Sequence, residues 1–264
     1  NCKGITAITI PSSVTKIGAS AFANCSGITE ITVPEGVTTL GNQAFFNTAL
    51  KTVSLPSTIT SIGSKAFNQN PNITKFTIAE GTPYSVSDDA SILVKTSGTT
   101  VEAVGFFGNK TEIAFPANVN KIGASFADGS PDLVKVTIPA VTNFGASTFA
   151  NCPKLTTAVY AAEATTTGNN TFQNCTALTD VTLPTAITQL GSNLFNGCTA
   201  LKTVTIPDGV TKINSGVFRN SGIEEITLPA SLTEIVADLF NGCKSLKNIT
   251  IPASVKKINN NAFK

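Results

Sequence analysis

Leu178-Thr179-Asp180-Val181-Thr182-Leu183-Pro184, followed by Ile187, Leu190-Gly191 and Leu194-Phe195-Asn196-Gly197-Cys198, is one copy of a motif that returns along the whole chain. The next copy reads Leu201, Val204, Ile206-Pro207, Val210, Ile213 and Val217-Phe218. The motif's phenylalanine recurs at 22, 45, 67, 126, 149, 172, 195, 218, 240 and 263, an even spacing broken by a single long step between Phe67 and Phe126. That long step holds two repeats and 13 extra residues. A proline keeps the same beat at 11, 34, 56, 116, 139, 184, 207, 229 and 252. A fixed period of about 20–50 residues marks a solenoid, in which each unit buries its apolar face only against its neighbours. Counting one degenerate unit near Ala90, the chain holds 11 units.

Within a unit, Leu178, Val181 and Leu183 are apolar while Thr182 points the other way, which predicts a short β-strand. Pro184 ends the ladder because it has no N–H to donate. The segment from Val210 to Ile213 predicts a second short extended stretch on the opposite wall. Gly191 suits a turn that needs positive φ or a close backbone approach. The Ala-Phe pair is expected to enter a short helical or 3₁₀ turn, its ring filling the interior. Ten phenylalanines in register are expected to form a stacked spine. The predicted core is the Leu, Val, Ile, Val, Ile, Ala and Phe position of every unit.

Composition narrows the function. Charged residues make up 13% of the chain, against about 25% in ordinary soluble domains. The formal net charge is +2, with one arginine, Arg219, and no basic run. No long-range field draws nucleic acid or an anionic membrane to such a chain. The absence of histidine removes the usual general base and the commonest metal ligand near neutral pH. No G-x-S-x-G, P-loop or H-E-x-x-H motif is present, and no cofactor, metal or catalytic residue is expected. No apolar run reaches the length of a membrane span. The chain has no methionine and begins inside a repeat, which reads as a piece of a longer protein.

The pattern L-x-x-V-x-I-P-x-x-V-x-x-I-G-x-x-A-F-x-x-C resembles the BspA-like class of leucine-rich repeats over nearly the whole chain. The resemblance implies a right-handed leucine-rich-repeat solenoid with one parallel sheet and about 11 coils, each one phenylalanine period long, forming one domain over residues 1–264. It also implies a secreted or cell-surface protein that adheres to host matrix proteins or cells through non-catalytic protein–protein contacts. A structural spacer in a larger envelope protein and an intracellular scaffold are the alternatives. Residues 80–115 are expected to be a degenerate repeat with a hairpin-like insertion, because β-rich runs flank Ser97-Gly98. A second departure lies at 155–172, where Tyr160-Ala161 replaces the apolar-Pro step.

Three groups of residues are singled out. Cys2, Cys25, Cys152, Cys175, Cys198 and Cys243 share one repeat position. Equivalent positions lie about one strand spacing apart, roughly 4.8 Å, but in-register side chains point the same way, so small buried thiols are expected rather than disulfides. On the sheet, a row of Thr32, Thr77, Thr137, Thr182, Thr205 and Thr227 stands beside a varied column of Glu30, Lys75, Lys135, Asp180, Thr203 and Glu225. The row satisfies β-propensity on an exposed face; it also makes a flat polar platform, and the varied column is where repeats differ without harming the core. The insertion supplies Tyr84, Asp88, Asp89, Phe106 and Phe107, which either pack as a decorated coil or form a binding site. Sequons at Asn24, Asn72, Asn109, Asn169, Asn174 and Asn248 arise partly from the repeat itself.

Overall fold

The alternation of exposed and buried positions in Lys135–Ile138, with Lys135 and Thr137 outside and Val136 and Ile138 inside, recurs along the chain and builds one wall of a β-solenoid. The structure is a computed structural model that describes residues 2–141 and 143–264, arranged in about eleven coils. On the first wall, Glu30–Thr32, Thr52–Leu55 and Lys75–Ile78 pair in parallel with Glu30↔Thr52↔Lys75 in register. Beyond the insertion, Glu112–Ile113, Lys135–Ile138, Thr157–Tyr160 and Asp180–Thr182 continue the wall in the same way. Glu225–Thr227 and Asn248–Thr250 complete it. The predicted single sheet is therefore a stack of parallel segments. The second wall is made of two-residue strands, such as Thr39–Leu40 beside Ser61–Ile62. Here the glycine allows close approach of the previous coil: a Cβ on Gly191 would overlap the carbonyl oxygen of Gly168.

The expected short helix is absent from the described residues; Ala-Phe sits instead in consecutive turns. Two left-handed residues, two before and two after the phenylalanine, account for this. They are Ser147 (φ 58°) and Asn151 (φ 56°) around Phe149, and Asn170 (φ 54°) and Asn174 (φ 59°) around Phe172. A right-handed helix needs negative φ at every residue, and asparagine is the side-chain-bearing residue best suited to the left-handed region. The turn's N–H groups point to the next coil. Those of Ser147, Phe149 and Asn151 donate to the carbonyls of Asn169, Thr171 and Gln173 at 2.9, 3.0 and 2.7 Å. Side chains repeat the ladder, since Asn174 Nδ2 donates to Asn151 Oδ1 at 3.0 Å and Asn47 Nδ2 to Asn24 Oδ1 at 2.8 Å.

The aromatic spine forms as two stacks rather than one. Phe22, Phe45 and Phe67 stack at centroid distances of 5.2 and 5.5 Å. Phe149, Phe172, Phe195, Phe218, Phe240 and Phe263 stack at 5.5–6.0 Å. Phe126 belongs to neither. Ala127 N–H donates to Thr148 O just as Phe149 N–H donates to Thr171 O, so Ala127 occupies the spine position. Phe126 sits one residue earlier and meets Phe149 edge-on, at 89° and 6.1 Å. This coil reads Phe126-Ala127 where the next reads Thr148-Phe149.

The insertion lies between the two stacks. Ile92–Ser97 and Thr100–Phe106 form an antiparallel hairpin, flanked by Tyr84–Val86 and joined in parallel to the second wall through Glu102↔Lys121 and Ala103↔Ile122. Its residues divide the core. Leu93 and Phe107 pack with the N-terminal cluster, Ile92, Val94 and Phe106 with the C-terminal one. Side chains bridge directly from the turn of Phe67 to that of Phe126: Asn68 Nδ2 donates to Ser125 O and Phe126 O at 3.0 and 3.1 Å, and Lys65 pairs with Asp128. At the second departure, Tyr160 is buried and donates from Oη to Thr167 O at 3.0 Å, with its ring edge-on to Phe172.

Candidate interaction surfaces

Because strand side chains alternate, every residue of the two sheet rows faces solvent: Glu30, Thr32, Lys75, Thr77, Lys135, Thr137, Asp180, Thr182, Thr203, Thr205, Glu225 and Thr227 are all exposed. The register brings Glu30, Thr52 and Lys75 side by side, and likewise Glu112, Lys135, Thr157 and Asp180. Charge alternates along the first part of this column, and Lys135 Nζ lies 3.9 Å from Glu112 Oε2. The C-terminal part, with Asp180 and Glu225, is acidic. Val159 stands between Thr137 and Thr182 and interrupts the hydroxyl row. Thr203 and Thr205 lie on a segment that is not part of a strand, beside a trough of about 560 Å³ that Glu225 and Thr227 also line. Next to it, Glu224 ties three coils together, 2.9 Å from Lys202 and 3.2 Å from Lys247. Hydrogen bonds from these two lysines, and then their charges, hold its carboxyl below the usual carboxylate range.

The five insertion residues separate into an inner and an outer set. Tyr84, Phe106 and Phe107 are buried. Tyr84 Oη accepts from Ile62 N–H at 2.9 Å, and the Lys95 ammonium lies 5.7 Å from its ring centroid. Asp88 and Asp89 are at the surface. Asp89 accepts from Ser87 Oγ at 2.7 Å and from Ser91 Oγ at 2.8 Å, with Lys110 Nζ at 3.6 Å. Partial burial pushes its carboxyl up, but the serine hydrogen bonds and the lysine charge outweigh this and hold it below the ordinary value.

All six cysteines are free thiols. Cys175 and Cys198 donate from Sγ to the carbonyls of Phe149 and Phe172, one coil earlier, both at 3.1 Å. Cys152 donates to Ala127 O at 3.2 Å, which again places Ala127 in the phenylalanine slot. Burial pushes the Cys198 thiol up to about 12; contact with the Cys175 thiol, and then burial, push Cys152 well above its ordinary value. Such thiols are poor nucleophiles, because the thiolate is the reactive form. Where cysteine is missing from the column another donor does the same work: Asn70 Nδ2 donates to Phe45 O at 2.7 Å. A motif reading takes this column as apolar filling, and the asparagine at position 70 is the sequence signal that a donor is required there.

The family profile described as "BspA type Leucine rich repeat region" matches residues 1–90, 99–223 and 165–264, with six copies. The chain belongs to the BspA-type leucine-rich repeat family. Among solved structures of this fold, a leucine rich cell surface protein from Faecalibacterium prausnitzii A2-165 is 27% identical, covering 91% of this chain with a TM-score of 0.63. This chain spans 58% of that protein's length. A leucine-rich repeat protein from Eubacterium ventriosum ATCC 27560 is 21% identical over 96% of this chain and 81% of its own, with a TM-score of 0.60. The pneumococcal vaccine antigen PcpA is 18% identical over 96% of this chain and 62% of its own, with a TM-score of 0.59. The last two share the fold. No curated protein sequence matches the chain. The BspA-type chain is thus a leucine-rich repeat protein. No helix among its described residues is long and apolar enough to cross a membrane.

Proposed function

We propose that the chain is a non-catalytic protein–protein interaction module of a secreted or cell-surface protein, forming one solenoid domain over residues 1–264 and adhering to host matrix proteins or cells through its first-wall sheet. The observation that carries this reading is the exposure of all twelve sheet-row residues on a scaffold with a buried apolar core. A solenoid presents such a row as an extended surface on which many modest contacts add. The likeness to a bacterial cell surface protein supports the location. The sheet column is poor in aromatic residues and arginine, the usual hot-spot types, so multivalent contact suits it better than a single tight site.

The test replaces Glu30, Lys135, Asp180 and Glu225 with alanine together. These residues are exposed, and each change is expected to alter stability by no more than about 0.5 kcal/mol. Circular dichroism should be unchanged, while attachment to immobilised matrix proteins and to host cells falls. Undiminished attachment by a folded variant would refute the sheet-face reading.

A further inference from the structure

The insertion does more than divide the core. Between the hairpin and the turn that follows Ile113 lies a groove of about 350 Å³, within the range of about 300–1,000 Å³ in which small-molecule sites fall. None of its lining residues belongs to the sheet rows. Its apolar side is formed by Val86, Val94 and Phe115. Phe115 is half-buried and backed by Phe126 at 5.4 Å between ring centroids, which fixes the ring while leaving part of it accessible. Its polar side carries Asp88, Asp89 and Asn118. Asp89 is held by Ser87 and Ser91. Asp88 and Asn118 are exposed, and their side chains make no hydrogen bond among the described residues.

We infer that this groove is a subsite for one neutral pyranose ring of a glycan. The chemistry decides among ligand classes. Lys110 lies 3.6 Å from Asp89 and offsets its charge, but it is not in the lining, which holds no cationic residue and keeps the unpaired carboxylate of Asp88, so phosphate, sulfate and carboxylate groups are disfavoured. A wholly apolar ligand would strip water from those carboxylates without replacing its hydrogen bonds, which is costly. A pyranose supplies both complements: its hydroxyls donate to the free carboxylate of Asp88 in charge-assisted bonds and exchange either role with Asn118, while its C–H face lies on Phe115 and the two valines. The inference is independent of the sheet-face proposal, because the two surfaces share no residue.

Saturation-transfer NMR on the whole chain tests it, with galactose, mannose, fucose and N-acetylglucosamine as probes, and with glucuronate and free arginine as charged controls. At least one neutral sugar should receive saturation, and its affinity should fall about tenfold or more when Asp88 and Asn118 are both changed to alanine, the loss expected for hydrogen bonds to a charged partner. Phe115→Leu, which keeps the packing against Phe126, should weaken binding through loss of the ring face. The variant lacking Glu30, Lys135, Asp180 and Glu225 should bind the sugar as the native chain does. The inference is overturned if no neutral sugar receives saturation, if the Asp88→Ala/Asn118→Ala chain binds unchanged, or if arginine displaces the sugar and binds more tightly, which would make the groove a site for basic side chains.

Discussion

Asn68 donates from Nδ2 to the carbonyl of Ser125, 57 residues further along the chain. Elsewhere the turn carbonyls accept from backbone N–H groups of the preceding coil, as Thr171 O accepts from Phe149 N–H. The insertion takes the preceding coil's turn out of the stack, and the Asn68 amide, itself buried, spans the gap.

Removing this bridge should be costly. Asn68→Ala removes a buried amide that donates to both the Ser125 and Phe126 carbonyls. Each carbonyl keeps one backbone donor, Asp128 N–H at 3.3 Å and Phe106 N–H at 3.0 Å, so the expected loss is that of the amide's own bonds, about 0.5–1.5 kcal/mol each. Urea denaturation followed by circular dichroism measures it, and a change within error would show that water replaces the amide without penalty.

The divided core predicts divided cooperativity. Cys25 lies in the N-terminal cluster and Cys175 in the C-terminal one. Phe45→Ala and Phe172→Ala each remove a fully buried ring at a cost of about 3–5 kcal/mol. In a solenoid whose coils contact only their neighbours, Phe45→Ala should accelerate alkylation of Cys25 in mild denaturant while leaving Cys175 protected, and Phe172→Ala should do the reverse. Equal acceleration of both thiols by either change would mean that the hairpin couples the clusters rather than separating them.

The glycine column offers a paired comparison. A Cβ on Gly145 would overlap the backbone nitrogen of Ala124, whereas one on Gly18 meets nothing within 4 Å. Gly145→Ala should therefore destabilise the chain by about 1–3 kcal/mol or more through overpacking, and Gly18→Ala should be close to neutral. Thermal melts of the two variants decide the matter.

Stability should fall in alkali because of the buried thiols. The Cys198 thiol titrates at about 12 in the folded chain against an ordinary value of 9.0. Between these values the unfolded chain loses this proton while the folded chain keeps it. The contribution is thus complete below pH 9 and declines by about 1.4 kcal/mol for each pH unit above it. Cys198→Ala should flatten the fall of Tm above that pH; a slope identical to that of the native chain would assign the alkaline loss to other groups.

Much of this architecture could be read from residue spacing, because the two walls depend on an alternation that survives in nearly every copy, as in Lys135–Ile138. The turn was harder to read. The Ala-Phe pair suggests a short helical turn, and only the asparagines two residues either side, in left-handed geometry at Asn170 and Asn174, reveal that the bonds run between coils. Phe126 misled for a related reason: its distance along the chain from Phe149 keeps the beat, yet the neighbouring Ala127 occupies the slot. The sheet rows were legible because exposure follows strand alternation. At the insertion, Tyr84, Phe106 and Phe107 gave no sign of which side they would take, since burial there depends on contacts made far along the chain.

The inter-coil ladder of the turns has an evolutionary reading. Each regular turn donates to a turn of the same shape, as Phe149 does to Thr171 and Phe172 to Leu194, so coils of this regular kind stack on one another interchangeably. A duplication or deletion of one repeat's worth of codons therefore changes the length of the array without requiring a compensating mutation elsewhere. The reach of the displayed surface becomes a trait set by copy number, which gain or loss of a repeat can adjust in a single event.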